Sequence, residues 1–193
     1  VAAWVCGPGF VPGDRDHDVV EACLRTNVPV VLDAGALAIL ADSDGLQQLL
    51  GERCAVTIIT PHDGEFARLG GVVDGLGRLG AALAMARKRG AVVVLKGPGT
   101  VIAAPDGTCF VDVEGGPVLA TAGSGDVLSG IIGALLAQAQ ARGDVLGVDD
   151  AARIAAIGCW LHGRAGSLAG AQGQSVTASS LIDSLGRALK TRD

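Results

Sequence analysis

Three short runs constrain this chain more than any other feature: residues 28–32 (VPVVL), 56–59 (VTII) and 91–95 (AVVVL). They are apolar almost throughout instead of alternating with polar residues. Each therefore reads as a strand covered on both faces, as in a parallel sheet held between helical layers. Each ends in a turn of unusual composition: Asp33-Ala34-Gly35, then residues 60–65 (TPHDGE), then residues 96–100 (KGPGT). A fourth run, 2–6, stops at Gly7-Pro8-Gly9, and a hairpin is expected from 101–104 and 109–113 around Pro105-Asp106-Gly107. Helices are expected over 14–25, 36–41, 77–89, 149–168 and 177–189, the last capped by Thr177 or by Ser179 or Ser180.

Strand, turn and helix thus recur, which specifies an open, mostly parallel α/β sheet in a single domain. Ligands of such sheets bind at the carboxyl ends of the strands, where these turns lie. The composition agrees with close helix–sheet packing: 49% apolar, 3% aromatic and 30 glycines. A net charge of −5 gives no reason to expect a nucleic-acid partner or a membrane surface. No apolar stretch has membrane-spanning length, and the opening VAAWVCGPGF lacks the basic region of a signal peptide. The first residue is Val, so a piece of a longer protein is expected. The five cysteines form no CxxC pair and read as small buried hydrophobes in a reducing, cytoplasmic compartment. Three histidines without paired spacing argue against a transition-metal site. Residues 70–80, spaced by glycines, are the expected mobile loop.

The chemistry concentrates in residues 120–136, ATAGSGDVLSGIIGALL. Small residues lead into Gly123, Ser124 and Gly125, then Asp126, then a helix apolar on nearly every face. Free amides and the helix dipole at such a start suit a phosphate. Asp126 beside them is either a general base or a first-turn carboxylate stabilised by the dipole. Lys96, Gly97, Pro98, Gly99 and Thr100 are no P-loop; they either meet a nucleotide or form a strand-to-hairpin turn with a surface Lys, the second being the better reading in isolation. His62, with Asp63 and Glu65, suits a polar substrate contact, Glu65 opening a helix. Asp33 either bonds a ligand or caps helix 36–41. His162 reads as a helix–helix contact and His17 as exposed.

Together VLDAGAL (31–37), TPHDGEFARL (60–69), VLKGPGTVIAAPDG (94–107), ATAGSGDVLSGIIGALLAQ (120–138) and WLHGRAG (160–166) resemble the ADP/ATP-dependent NAD(P)H-hydrate dehydratases. The resemblance runs in register from about Gly7 to the C-terminus. It implies a ribokinase-like three-layer αβα sandwich with a mostly parallel central sheet, and the chemistry of repair. In that chemistry the (6S) hydrate of NADH or NADPH (NADHX, NADPHX) is phosphorylated on its ring hydroxyl, and loss of phosphate restores the dihydronicotinamide. By the resemblance Asp126 is the catalytic base and a substrate contact, joined by Gly9 and His62. Gly123, Ser124 and Gly125 are the anion hole. Lys96, Gly97, Pro98, Gly99, Thr100 and Gly125 meet ADP (less expectedly ATP), with Mg2+ bridging phosphates and no protein metal ligands. It also implies a homo-oligomer, a tetramer, and an epimerase domain in a longer protein. Two departures stand out. Gly35 replaces the second Asp of the usual LDADAL, and the strands and glycine-rich segment that normally precede GPG fall before Val1, so residues 1–193 are expected to be one N-terminally incomplete domain.

Two other classes fit parts of the pattern. A small-molecule kinase of the hydroxymethylpyrimidine or hydroxyethylthiazole type would share GSGD but not PHDGE or KGPGT. A non-catalytic nucleotide-binding fragment would need no intact Asp126, Gly125 and Lys96.

Overall fold

The computed structural model describes residues 1–11, 13–171, 173 and 175–190. Six strands form one sheet in chain order: β1 (Trp4–Cys6), β2 (Val30–Leu32), β3 (Thr57–Ile59), β4 (Val92–Leu95), β5 (Thr100–Ala103) and β6 (Cys109–Asp112). The β1–β2, β2–β3 and β3–β4 pairings are parallel, in the register Trp4 to Val30, Val30 to Thr57 and Ile58 to Val92. The hairpin closes the sheet with two antiparallel pairings, β4–β5 and β5–β6.

Period-two alternation divides the apolar strand residues between two helical layers. Val30, Leu32, Ile59, Val93 and Leu95 face α1 (Asp14–Leu24), α2 (Gly35–Ala41), α3 (Asp44–Gly51), α4 (Asp63–Arg68) and α5 (Gly77–Arg89). Val31, Ile58, Val92 and Val94 face α6 (Ser124–Ala141) and α7 (Val148–Gly170), against which α8 (Ala178–Ala188) packs. Strands buried on both faces are what continuous apolar runs require.

Local chemistry sets the helix ends. Thr177 caps α8 by accepting from the Ser180 amide, and α5 ends at Gly90 in the left-handed region with Arg87, Lys88 and Arg89 in its last turn. The sequence reading lacks α3, which Ser43 caps and which buries Leu46 and Leu50. That helix also gives the partly exposed His17 a partner, its Nε2 3.2 Å from the Ser43 hydroxyl. Residues 71–76 lie outside regular structure before α5 begins. No helix among the described residues is long and apolar enough to cross a membrane.

Candidate active site

Because β1 to β4 run parallel, the turns that follow them share one edge of the sheet, and antiparallel β5 starts from the same edge. The turns touch one another directly. Gly7 has φ +121°, and a Cβ there would lie 1.8 Å from the Asp33 carbonyl oxygen. The Lys96 amide donates to the Pro61 carbonyl at 2.8 Å. The turns after β1, β2, β3 and β4 are thus brought together, as the sequence reading expects.

Lys96 lies at the centre. Its ammonium is 2.8 Å from Asp33 Oδ1 and 3.7 Å from Glu65 Oε2, and its side chain is 19% exposed. The reading of a surface lysine is therefore wrong: the end of β4 turns Lys96 inward, where Asp33 offsets its desolvation. Asp33, 1% exposed, is neither a cap nor open to a ligand. Its Oδ1 also accepts from the Ala34 amide, its Oδ2 accepts from the Ser129 hydroxyl at 2.5 Å, and α2 starts without a side-chain cap. Ser129, one turn along α6 from Asp126, is the residue sequence reasoning missed. Its signal is a hydroxyl interrupting an otherwise apolar buried run.

α6 meets this cluster at its N-terminus. Gly123 takes φ +80° and gives no side-chain cap. The Ser124 amide donates to the Thr121 carbonyl and the Val127 amide to the Gly123 carbonyl, while the Gly125 and Asp126 amides make no hydrogen bond among the described residues. Two adjacent free amides stand at the positive end of an 18-residue helix, a geometry that suits an anion. A Cβ on Gly125 would lie 3.5 Å from the Lys96 ammonium, so the ammonium stands directly beside those amides. The Asp126 side chain is exposed at the same point. Ser124 differs from its expected part: it is turned inward, its hydroxyl 3.0 Å from His162 Nε2 on α7. His162 is the interhelical contact expected, but it braces the anion loop itself. Burial pushes its pKa down to about 4, opposed by the hydrogen bond to Ser124 and reinforced by the Lys96 charge, so the imidazole is neutral near pH 7.

The remaining candidates surround this point. His62 caps α4: its Nδ1 accepts from the Gly64 and Glu65 amides, and Glu65 accepts from the His62 amide, a reciprocal box that leaves Nε2 facing outward, 3.5 Å from Glu65 Oε1. Behind it an open cleft of about 490 Å3 runs between α2 and α4, lined by Leu37, Ala38 and Arg68 among others. Gly9 is exposed, with no atom within 4 Å of where its Cβ would be. Gly97 and Pro98 form the exposed tip of the turn and Gly99 is half-buried, the glycines at φ +152° and +68°, while Thr100 Oγ1 donates back to the Gly97 carbonyl at 3.2 Å. Gly35 admits the backbone of Phe10, whose carbonyl oxygen lies 2.6 Å from a Cβ built there; an Asp at 35 would need that turn to move. Ala34, at φ 48°, is the one non-glycine with positive φ among the described residues, and it stands between Asp33 and this close approach. The sole group of three clustered metal-ligating side chains among the described residues, His17, Asp18 and Glu21, lies on α1 outside these turns.

The fold is that of a ribokinase-like α/β protein, with two unpaired amides at the start of its buried helix. The sequence profile of the NAD(P)H-hydrate dehydratase family matches residues 1–187. The chain is 46% identical over 144 residues to the bifunctional NAD(P)H-hydrate repair enzyme Nnr of Mycobacterium tuberculosis, covering 75% of this chain and 30% of that protein. It is 42% identical over 170 residues to the ADP-dependent (S)-NAD(P)H-hydrate dehydratase of Neisseria meningitidis, covering 86% of this chain and 54% of that one. The crystal structure of the ADP/ATP-dependent NAD(P)H-hydrate dehydratase of Bacillus subtilis, co-crystallised with ATP and Mg2+, superposes with a TM-score of 0.79 at 33% identity, over 98% of this chain and 64% of that one. This chain belongs to the NAD(P)H-hydrate dehydratase family, and it spans about a third of the length of its bifunctional relatives.

Proposed function

We propose that residues 1–193 act as one dehydratase domain, carrying out the nucleotide-dependent dehydration of the (6S) hydrate of NADH or NADPH. The observation that carries the proposal is the conjunction at the start of α6: two free amides, the Lys96 ammonium beside them and an uncommitted carboxylate, Asp126, on the same turn. The amides of Gly125 and Asp126 and the charge of Lys96 hold the phosphoryl group in transfer. Asp126 takes the proton of the ring hydroxyl as its oxygen attacks phosphorus and the nucleotide departs. Loss of phosphate, with a proton from the adjacent ring carbon, restores the dihydronicotinamide.

Lys96, Gly97, Pro98, Gly99 and Thr100, together with Gly125, form the nucleotide side of the site; Gly9 and His62 form the substrate side. ADP is the expected phosphoryl donor, on the strength of the Neisseria relative's name. Mg2+ is the expected companion of the nucleotide, as phosphoryl transfer generally uses it and as the Bacillus structure was co-crystallised with ATP and Mg2+. When bound it neutralises phosphate charge. A reducing, cytoplasmic setting suits the five unpaired cysteines. A tetramer rests on the resemblance alone, and an attached epimerase domain also on the bifunctional relatives.

The test follows products, in the longest natural form of the protein that contains these residues. NADHX with ADP is expected to return dihydronicotinamide absorbance in step with free phosphate. A phosphorylated product that accumulates would make the protein a kinase of another class, and ADP binding without turnover would make it a non-catalytic module.

A further inference from the structure

We propose that Arg78 is a positioning residue that clamps the nucleotide turn against the substrate turn; the inference rests on the function proposed above. Arg78 is the second residue of α5 and takes no part in that helix's buried face, which is built from Ala81, Ala82, Met85 and Ala86. Its guanidinium reaches to the carboxyl end of β4 instead. Nη2 donates to the main-chain carbonyls of Lys96 at 2.8 Å and Leu95 at 3.3 Å. Nη1 pairs with Asp63 Oδ1 at 2.5 Å, the residue directly after His62. One planar fork therefore joins the two turns that carry His62 and Lys96.

Two further observations fit this role. Gly97 sits at φ +152°, and a Cβ there would lie 2.7 Å from Arg78 Nη2, so the glycine in KGPGT leaves the room the guanidinium occupies. Arg78 Nε is buried without a hydrogen-bond partner among the described residues, a cost that a merely exposed ion pair would not incur. The Lys96 ammonium anchors the start of the turn on Asp33 and Glu65, and its glycines have few other ties. Thr100 closes it from within, and the Lys96 amide ties it to Pro61. With Arg78 in place, Gly97 and Gly99 are ordered before a nucleotide arrives, which lowers the ordering cost of binding.

The test compares wild type, Arg78→Ala, Arg78→Lys and Asp63→Asn by amide hydrogen exchange without nucleotide and by ADP titration. Arg78→Ala is expected to speed exchange about tenfold at Lys96, whose amide bonds Pro61, and at Gly64 and Glu65, whose amides bond His62, leave Val93 and Ile102 unchanged, and weaken ADP binding about tenfold. Arg78→Lys, which keeps the charge but not the fork, recovers only part of the loss, and Asp63→Asn reproduces the effect at Gly64 and Glu65. Unchanged exchange at the two turns, an unchanged ADP affinity, or an equal loss of protection at Val93 and Ile102 overturns the proposal. If wild type binds no ADP, the proposed function fails, and exchange at the two turns still decides for or against the clamp.

Discussion

Gly7 and Gly125 show how differently two glycines in one site can be constrained. At Gly7 a Cβ would overlap the Asp33 carbonyl and the backbone is left-handed, so Gly7→Ala is expected to cost about 3 kcal/mol or more in urea unfolding. At Gly125 a Cβ meets Lys96 Nζ and Asp33 Oδ2 at 3.5 and 3.7 Å, ordinary contact. Gly125→Ala should therefore fold within about 1 kcal/mol of wild type, yet lose ADP affinity by roughly tenfold, because the methyl covers the amides and the ammonium. Calorimetric titration beside a melting curve separates the two effects. His162 makes a pH prediction. The unfolded chain takes up a proton below its ordinary value of 6.5, whereas the folded chain refuses it until about 4. Stability is thus fully present above pH 6.5 and falls by up to about 3 kcal/mol as pH drops toward 4, a slope that His162→Gln should flatten. At this scale the sequence made Asp126, Gly125 and His62 visible as candidates, because their types and spacing carry chemistry. Lys96 and Asp33 were candidates too, but their burial and pairing were hidden, because the burial of a charge depends on a partner 63 residues away.

Among the elements, the strands were legible because an unbroken apolar run of four or five residues has few other uses. The long helices were legible from periodicity and caps. α3 was not: its eight residues expose Asp44, Gly45, Gln48 and Gly51, and only Leu46 and Leu50 mark a buried side. The same limit hid Arg53, which follows α3 and closes the end of α1. Its Nη1 donates to the carbonyls of Leu24 and Thr26, its Nη2 to that of Val28 at 2.9 Å, and its Nε to Thr57 Oγ1 at 2.9 Å. One guanidinium thus satisfies carbonyls that the end of α1 and the entry to β2 leave over. Arg53→Ala is expected to destabilise by about 2–4 kcal/mol in denaturant unfolding, and Arg53→Lys to recover little, since an ammonium cannot span the set. α6 is held in another way, by Ser129 on Asp33, so the helix that carries Asp126 is pinned to the strand end that holds Lys96.

For the whole molecule, these contacts make one assembly of turns from separate strand ends. Parallel topology brings the turns to a common edge, and side-chain bonds between them fix their spacing. The mostly parallel sheet and its helical layers could be read from pattern, and the family from five motifs in order. The pairings across the site could not, since each joins residues far apart in the chain. The start of α6 is proposed to supply both an anion site and the base for nucleotide-dependent dehydration. The most direct test is the turnover of NADHX with ADP by wild type and Asp126→Asn, with ADP affinity measured alongside. Wild type should restore NADH, and Asp126→Asn should lose about a thousandfold in kcat while binding ADP within about threefold of wild type. Near-normal turnover by Asp126→Asn would remove Asp126 as the base, and no NADH from wild type would overturn the dehydratase assignment.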